Sequence, residues 1–275
     1  MERLAVKNAA FSYKQKIGRK EKIVKEVFED ISFSVKEGEI LCIVGPNGCG
    51  KSTLIDCLLG LNRIDTGEII VAGRPLKEYK PKDLARHLAY VPQTHKMTFG
   101  YSVLDIVTMG RTYEARMFQP PSVEEKEMAY RCLEMVGLKG FEERDYKRLS
   151  GGELQLVLIA RALCQQAEVI VMDEPTAHLD FRHELKVMEI ISKLVKEEGI
   201  TVIMATHFLN QAFYLENAGV PTRVALMNDR KFDCMGTPSE VLTEDNLENI
   251  FNIVTEVVGG NDTDRRKYII PLYNK

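Results

Sequence analysis

The stretch ILCIVGPNGCGKST, residues 40–53, constrains this chain more than any other. A short apolar run enters a loop carrying Gly45, Gly48 and Gly50, and a helical pattern opens directly after it. Gly45, Gly50, Lys51 and Ser52 match G-x-x-x-x-G-K-[ST], placed between strand and helix as the mechanism of that motif demands. The loop Gly45-Pro46-Asn47-Gly48-Cys49-Gly50 is therefore expected to wrap the phosphates of a nucleoside triphosphate at a helix N-terminus. Lys51 reaches the β and γ oxygens, Ser52 ligates Mg2+, and Thr53 adds a contact to the α-phosphate.

Two further runs, VIVM (169–172) and TVIMATH (201–207), are short and rich in β-branched residues, as strands covered on both faces of a sheet should be. The expected core is α/β. Asp173 and Glu174 end the first of these runs, where open parallel sheets bind ligands. Adjacent acids there are costly unless used: Asp173 is expected to position magnesium, and Glu174 to take a proton from the attacking water.

Composition narrows the partners. The formal net charge is -3 with 28% charged residues, so no basic field exists to neutralise nucleic-acid phosphates, and no nucleic-acid partner is expected. No apolar run approaches the roughly 20 residues of a spanning helix, and no leader pattern opens the chain, which points to a cytosolic protein. The six cysteines form neither a CxxC pair nor a Cys/His cluster, which argues against zinc and against a disulfide framework.

A second glycine pair stands in LSGGE, residues 149–153. Ser150 and Glu153 read as a capping box for the helix LQLVLIARAL. A capped helix does not require Gly151 and Gly152 in its first turn, where glycine destabilises, unless something must approach the backbone closely. An anion fits that gap.

Taken together, these residues resemble the nucleotide-binding subunits of ABC transporters over roughly residues 3–245. The resemblance implies a P-loop NTPase (RecA-like) core with an inserted α-helical subdomain and an N-terminal antiparallel β subdomain. It implies that Gln93 in YVPQ is the Q-loop glutamine touching magnesium, that His207 in ATH is the switch histidine at the γ-phosphate, and that Tyr13 in FSY stacks on adenine. A core role for Tyr13 stays open, with Phe11 two residues away. LSGGE is a close variant of the family's LSGGQ signature. There Ser150, Gly151, Gly152 and Glu153 meet the γ-phosphate held by the other subunit, so two copies sandwich two ATP molecules head to tail. Asp180 in AHLD is then the D-loop acid across that seam. One departure is Phe208, where the family usually carries Asp after the switch histidine.

The resemblance further implies integral-membrane permease subunits that use the motion, and so a peripheral position on the inner face of the membrane. YSVLDIVTMGRT and DEPTAHLDFRHE look most like ATPases of importers for iron-siderophore, haem, cobalamin or molybdate, which also employ an extracytoplasmic substrate-binding protein. An exporter ATPase is the runner-up, and a soluble non-transport ABC ATPase comes third. The expected division is a core of 1–94 and 169–245, a helical signature lobe of 95–168 and a C-terminal extension of 246–275. Capping boxes are expected at Ser122/Glu125 and Thr237/Glu240, a cap at Ser102, and an exposed hairpin over 14–26. Met97, Phe99 and Tyr101 are expected to edge a permease-docking cleft, and Cys49 to carry a thiolate favoured by the helix N-terminus.

Overall fold

The computed structural model describes residues 1–17, 20–93, 100–113, 120–260 and 266–274. They fall into two compact units, Met1–Glu78 with Val195–Lys275, and Tyr79–Leu194. The first begins with β1 (Glu2–Ile17), β2 (Lys20–Lys36), β3 (Ile40–Val44), α1 (Lys51–Leu58), β4 (Thr66–Val71) and β5 (Arg74–Pro75). The second holds α2 (Pro81–Leu84), β6 (Leu88–Val91), α3 (Val103–Thr108), α4 (Val123–Met135), α5 (Gly151–Cys164), β7 (Val169–Asp173) and most of α6 (Phe181–Glu198). The chain then supplies the first unit with β8 (Thr201–Thr206), α7 (Leu209–Asn217), β9 (Thr222–Asn228), β10 (Lys231–Gly236), α8 (Pro238–Val241), α9 (Glu244–Phe251), β11 (Ile253–Gly259) and β12 (Lys267–Asn274).

In the first unit β3 runs parallel to β8 on one side and to β9 on the other, pairing Val44 with both Thr206 and Leu226. Every residue of β3 and β8 is buried, which is why these segments read as unbroken apolar runs without alternation. A separate antiparallel sheet in the order β2-β1-β4-β5 forms the expected N-terminal β subdomain. Its β1–β2 hairpin includes the pairs Tyr13↔Lys25 and Lys14↔Ile23, as the polar run suggested. In the second unit β6 and β7 are parallel, pairing Val91 with Met172. Complete capping boxes start α3 at Ser102, α4 at Ser122, α5 at Ser150 and, in the first unit, α8 at Thr237. Each agrees with its sequence signature. Among the described residues no helix is long and apolar enough to cross a membrane.

The segment beyond residue 246 carries no sequence motif, yet it is ordered by side-chain amides. Asn210 and Asn217 lie seven residues apart on α7, two turns along one face. The Asn210 amide donates to the Ile269 carbonyl at 3.0 Å and accepts from the Ile269 N–H at 2.7 Å. Asn217 does the same with Lys267 at 2.8 and 3.0 Å. Residues 267 and 269 present their polar groups to the same edge of β12, so the two asparagines replace a missing neighbouring strand. At about 1 kcal/mol per neutral hydrogen bond, losing all four is expected to release the hairpin while the sheet core stays folded. Replacing both asparagines by alanine should speed amide exchange at Lys267 and Ile269 at least about tenfold, read by hydrogen-exchange mass spectrometry. Unchanged protection there would place the anchorage elsewhere.

Candidate active site

The loop after β3 is held in shape by its own lysine. Lys51 is buried, and its ammonium donates to the carbonyls of Gly45 at 2.8 Å and Pro46 at 3.1 Å. Gly50 takes φ 114, and a Cβ there would lie 2.9 Å from a Val27 methyl, so only glycine fits. The eight-residue helix α1 starts at this glycine with no side-chain cap, in contrast to the boxed starts of α3, α4, α5 and α8. Its first N–H groups and the positive end of its dipole are thus presented to the loop, the arrangement that accepts a phosphate. Asn47, Gly48 and Ser52 are exposed along this rim, with Thr53 half-buried.

Tyr13 stands over the same helix start. Its hydroxyl lies 3.2 Å from the Thr53 hydroxyl, and the residue is 44% exposed while Phe11 is buried and stacked on Phe28 at 6.0 Å. The two aromatics of FSY therefore divide the work: Phe11 packs the core, and Tyr13 stays exposed beside α1. His207 follows β8 directly, beside β3, so it sits at the carboxyl end of the strand next to the glycine loop. Its ring is 4.0 Å from that of Phe208, whose N–H is held by the Thr206 hydroxyl at 3.0 Å. An aromatic neighbour thus flanks the histidine where an Asp is usual in the family.

The second unit repeats the logic with two other parallel strands. Gln93 follows β6 and Glu174 follows β7, and the Gln93 amide donates to the Glu174 carboxylate at 3.1 Å. Asp173 is buried as the last residue of β7. Glu174 adopts φ 46, a left-handed conformation that costs a non-glycine residue about 1 kcal/mol or more and marks functional turns. Nothing in the sequence announced that strain, which turns the acid out of the line of the strand.

At LSGGE the structure changes the reason for one glycine. The Glu153 carboxylate accepts from the Ser150 N–H and from the Ser150 hydroxyl, both at 2.8 Å, and lies 3.7 Å from the Arg144 guanidinium. The backbone N–H of Ser150 above all, then its hydroxyl, holds the Glu153 carboxyl below its ordinary range. A Cβ on Gly152 would fall 2.2 Å from the ring of His183, whereas one on Gly151 would meet only Leu179 at 3.6 Å. What crowds the Cβ side of Gly152 is therefore this chain's own imidazole, whereas a side chain at Gly151 has room. His183 was missed in the sequence; the Asp-x-x-His spacing at the start of α6 was the available signal. Asp180 caps that helix, accepting from the His183 N–H at 2.9 Å and pairing with His183 Nδ1 at 2.8 Å.

Two expectations need revision or fall aside. The thiolate proposed for Cys49 is contradicted: burial pushes its thiol up, outweighing the pull of Lys51. Met97 and Phe99 lie outside the described residues, and Tyr101 is half-buried. No group of three or more His, Cys, Asp or Glu able to hold a metal ion occurs among the described residues.

The profile of the ABC transporter family matches residues 28–177, more than half of the chain. The iron(3+)-hydroxamate import ATP-binding protein of Bacillus subtilis is 33% identical over 239 residues, covering 87% of each chain. An inward-facing ABC transporter of the metal-chelate type aligns with TM-score 0.82 and 31% identity over 99% of this chain and 98% of that one. A dimeric ATP-binding cassette in a post-hydrolysis state with ADP and Pi aligns with TM-score 0.71 and 28% identity, over 86% of this chain and 98% of its own. With the P-loop NTPase fold shared across these structures and the glycine loop and acids in place, the chain belongs to the ABC transporter ATP-binding family and is an ATPase of that family.

Proposed function

We propose that this chain is the ATP-hydrolysing subunit of an importer for a chelated metal, working as a head-to-tail dimer on permease subunits at the inner face of the membrane. The observation that carries the reading is the start of α1 at Gly50 without a side-chain cap, behind a loop that Lys51 shapes through the Gly45 and Pro46 carbonyls. ATP sits there with adenine on Tyr13 and phosphates on Gly45–Thr53. The family resemblance gives Ser52 of the first unit and Asp173 and Gln93 of the second as the residues that would hold Mg2+, which would neutralise developing phosphate charge. Glu174 accepts the proton of the attacking water, and His207 contacts the γ-phosphate. Ser150, Gly151 and the start of α5 close over a nucleotide held by the second copy, with Asp180 across the seam. The dimeric cassette with ADP and Pi supports the pairing. The import direction and the metal-chelate cargo are supported by the Bacillus relative and by the transporter that aligns over nearly the whole chain. Residues 95–168 form the lobe that meets the permease, and an extracytoplasmic binding protein delivers the cargo.

The test is reconstitution with the cognate permease in lipid nanodiscs. Binding protein loaded with a ferric hydroxamate or haem is expected to raise ATP turnover severalfold over unloaded protein. Stimulation by apolar compounds without any binding protein would instead indicate an exporter.

A further inference from the structure

Three groups in the second unit converge on the first turn of α5. Gly152 is buried, and the imidazole of His183 fills the space a Cβ would need, with its Cδ2, Cγ and Cβ at 2.2, 2.5 and 2.8 Å from that position. The same imidazole pairs through Nδ1 with the Asp180 carboxylate at 2.8 Å, while Leu179 touches the position above Gly151. Asp180 needs only its backbone contacts to cap α6: its carboxylate accepts from the His183 N–H, and its carbonyl from the Glu184 N–H at 2.9 Å. The side-chain bond is therefore additional to the cap. A carboxylate accepts, so Nδ1 carries the proton, and the ring is fixed in plane against the glycine.

We infer that His183 is a positioning residue that locks the AHLD turn to the start of the signature helix, so that Asp180 and Ser150-Gly151 meet a second copy as one rigid edge. The inference rests on the composite-site reading above and adds a residue to it. His183 touches neither nucleotide nor water in that reading; it acts by keeping two partner-facing segments in one geometry. Losing a charge-assisted hydrogen bond and the ring that fills the gap should loosen that geometry and leave the glycine loop of the first unit untouched. The fixed electrostatics point the same way: the His183 N–H and then its side chain hold the Asp180 carboxyl below its ordinary range.

The experiment compares His183→Ala and His183→Asn in a Glu174→Gln background, measuring ATP affinity by calorimetry and the dimer dissociation constant in Mg-ATP by analytical ultracentrifugation. Asparagine places an amide N–H close to where Nδ1 stands. His183→Ala is expected to weaken the dimer by roughly tenfold or more with ATP affinity of the monomer changed less than about twofold, and His183→Asn to recover most of the loss. A Gly152→Ala change should be damaging in the parent and milder beside His183→Ala, because the added methyl then occupies the vacated space. Undiminished dimerisation of His183→Ala, or equal loss in His183→Asn, overturns the inference while leaving the composite site standing. A Glu174→Gln parent that stays monomeric in Mg-ATP overturns both.

Discussion

A Glu174→Gln variant is expected to bind Mg-ATP like the parent, to hydrolyse it at least about a hundredfold more slowly, and to accumulate as an ATP-bound dimer. The expectation follows from what the change leaves alone. Glutamine has the size of glutamate and still offers an oxygen to the Gln93 amide, which now donates to the carboxylate at 3.1 Å. The turn at φ 46 is a backbone property, so its strain is neither added nor relieved. Only proton affinity is lost, so binding and catalysis should separate cleanly. Phosphate release and light-scattering chromatography with Mg-ATP read the two quantities; near-normal turnover would remove Glu174 from the role of base.

Much of this site is legible in the sequence, because its chemistry is written in local spacing. The loop from Gly45 to Thr53 and the acids Asp173 and Glu174 needed only strand ends and helix starts, and β3, β7 and β8 lie where short apolar runs placed them. The capping boxes at Ser102, Ser122, Ser150 and Thr237 were readable for the same reason, since a cap reaches only three residues along the chain. Contacts between distant segments were not readable. The ring of His183 against the Cβ side of Gly152 joins positions 31 residues apart (183 minus 152). The asparagine clamp on β12 spans 59 residues for Asn210 and Ile269 and has no pattern in the sequence, since asparagine on a helix surface is ordinarily just solvated. Cys49 failed in another way. Its place near a helix N-terminus suggested a thiolate, but the tight loop that builds the phosphate cradle also buries the sulfur, and desolvation wins.

In the proposed assembly the second glycine loop serves the nucleotide of a second copy, and mixing two inactive variants puts that arrangement to the test. Lys51→Ala removes a buried ammonium that shapes the loop through the Gly45 and Pro46 carbonyls, and should cost about a hundredfold or more in ATP affinity, since the charged hydrogen bonds it would give the phosphate oxygens are worth about 1.5–3 kcal/mol each. Its start of α5, in the other unit, is untouched. Gly151→Asp is the complement: a side chain there meets only Leu179 at 3.6 Å, and an acid suits the first turn of a helix, so the chain should fold and bind ATP normally. The new carboxylate would nevertheless oppose the γ-phosphate of a partner. Each variant alone should therefore be nearly inactive. An equal mixture should recover up to roughly a quarter of the wild-type ATPase rate, because half of the dimers are mixed and each mixed dimer has one of its two sites intact. Recovery of that order is the predicted result; a mixture no more active than its two components would contradict the composite site.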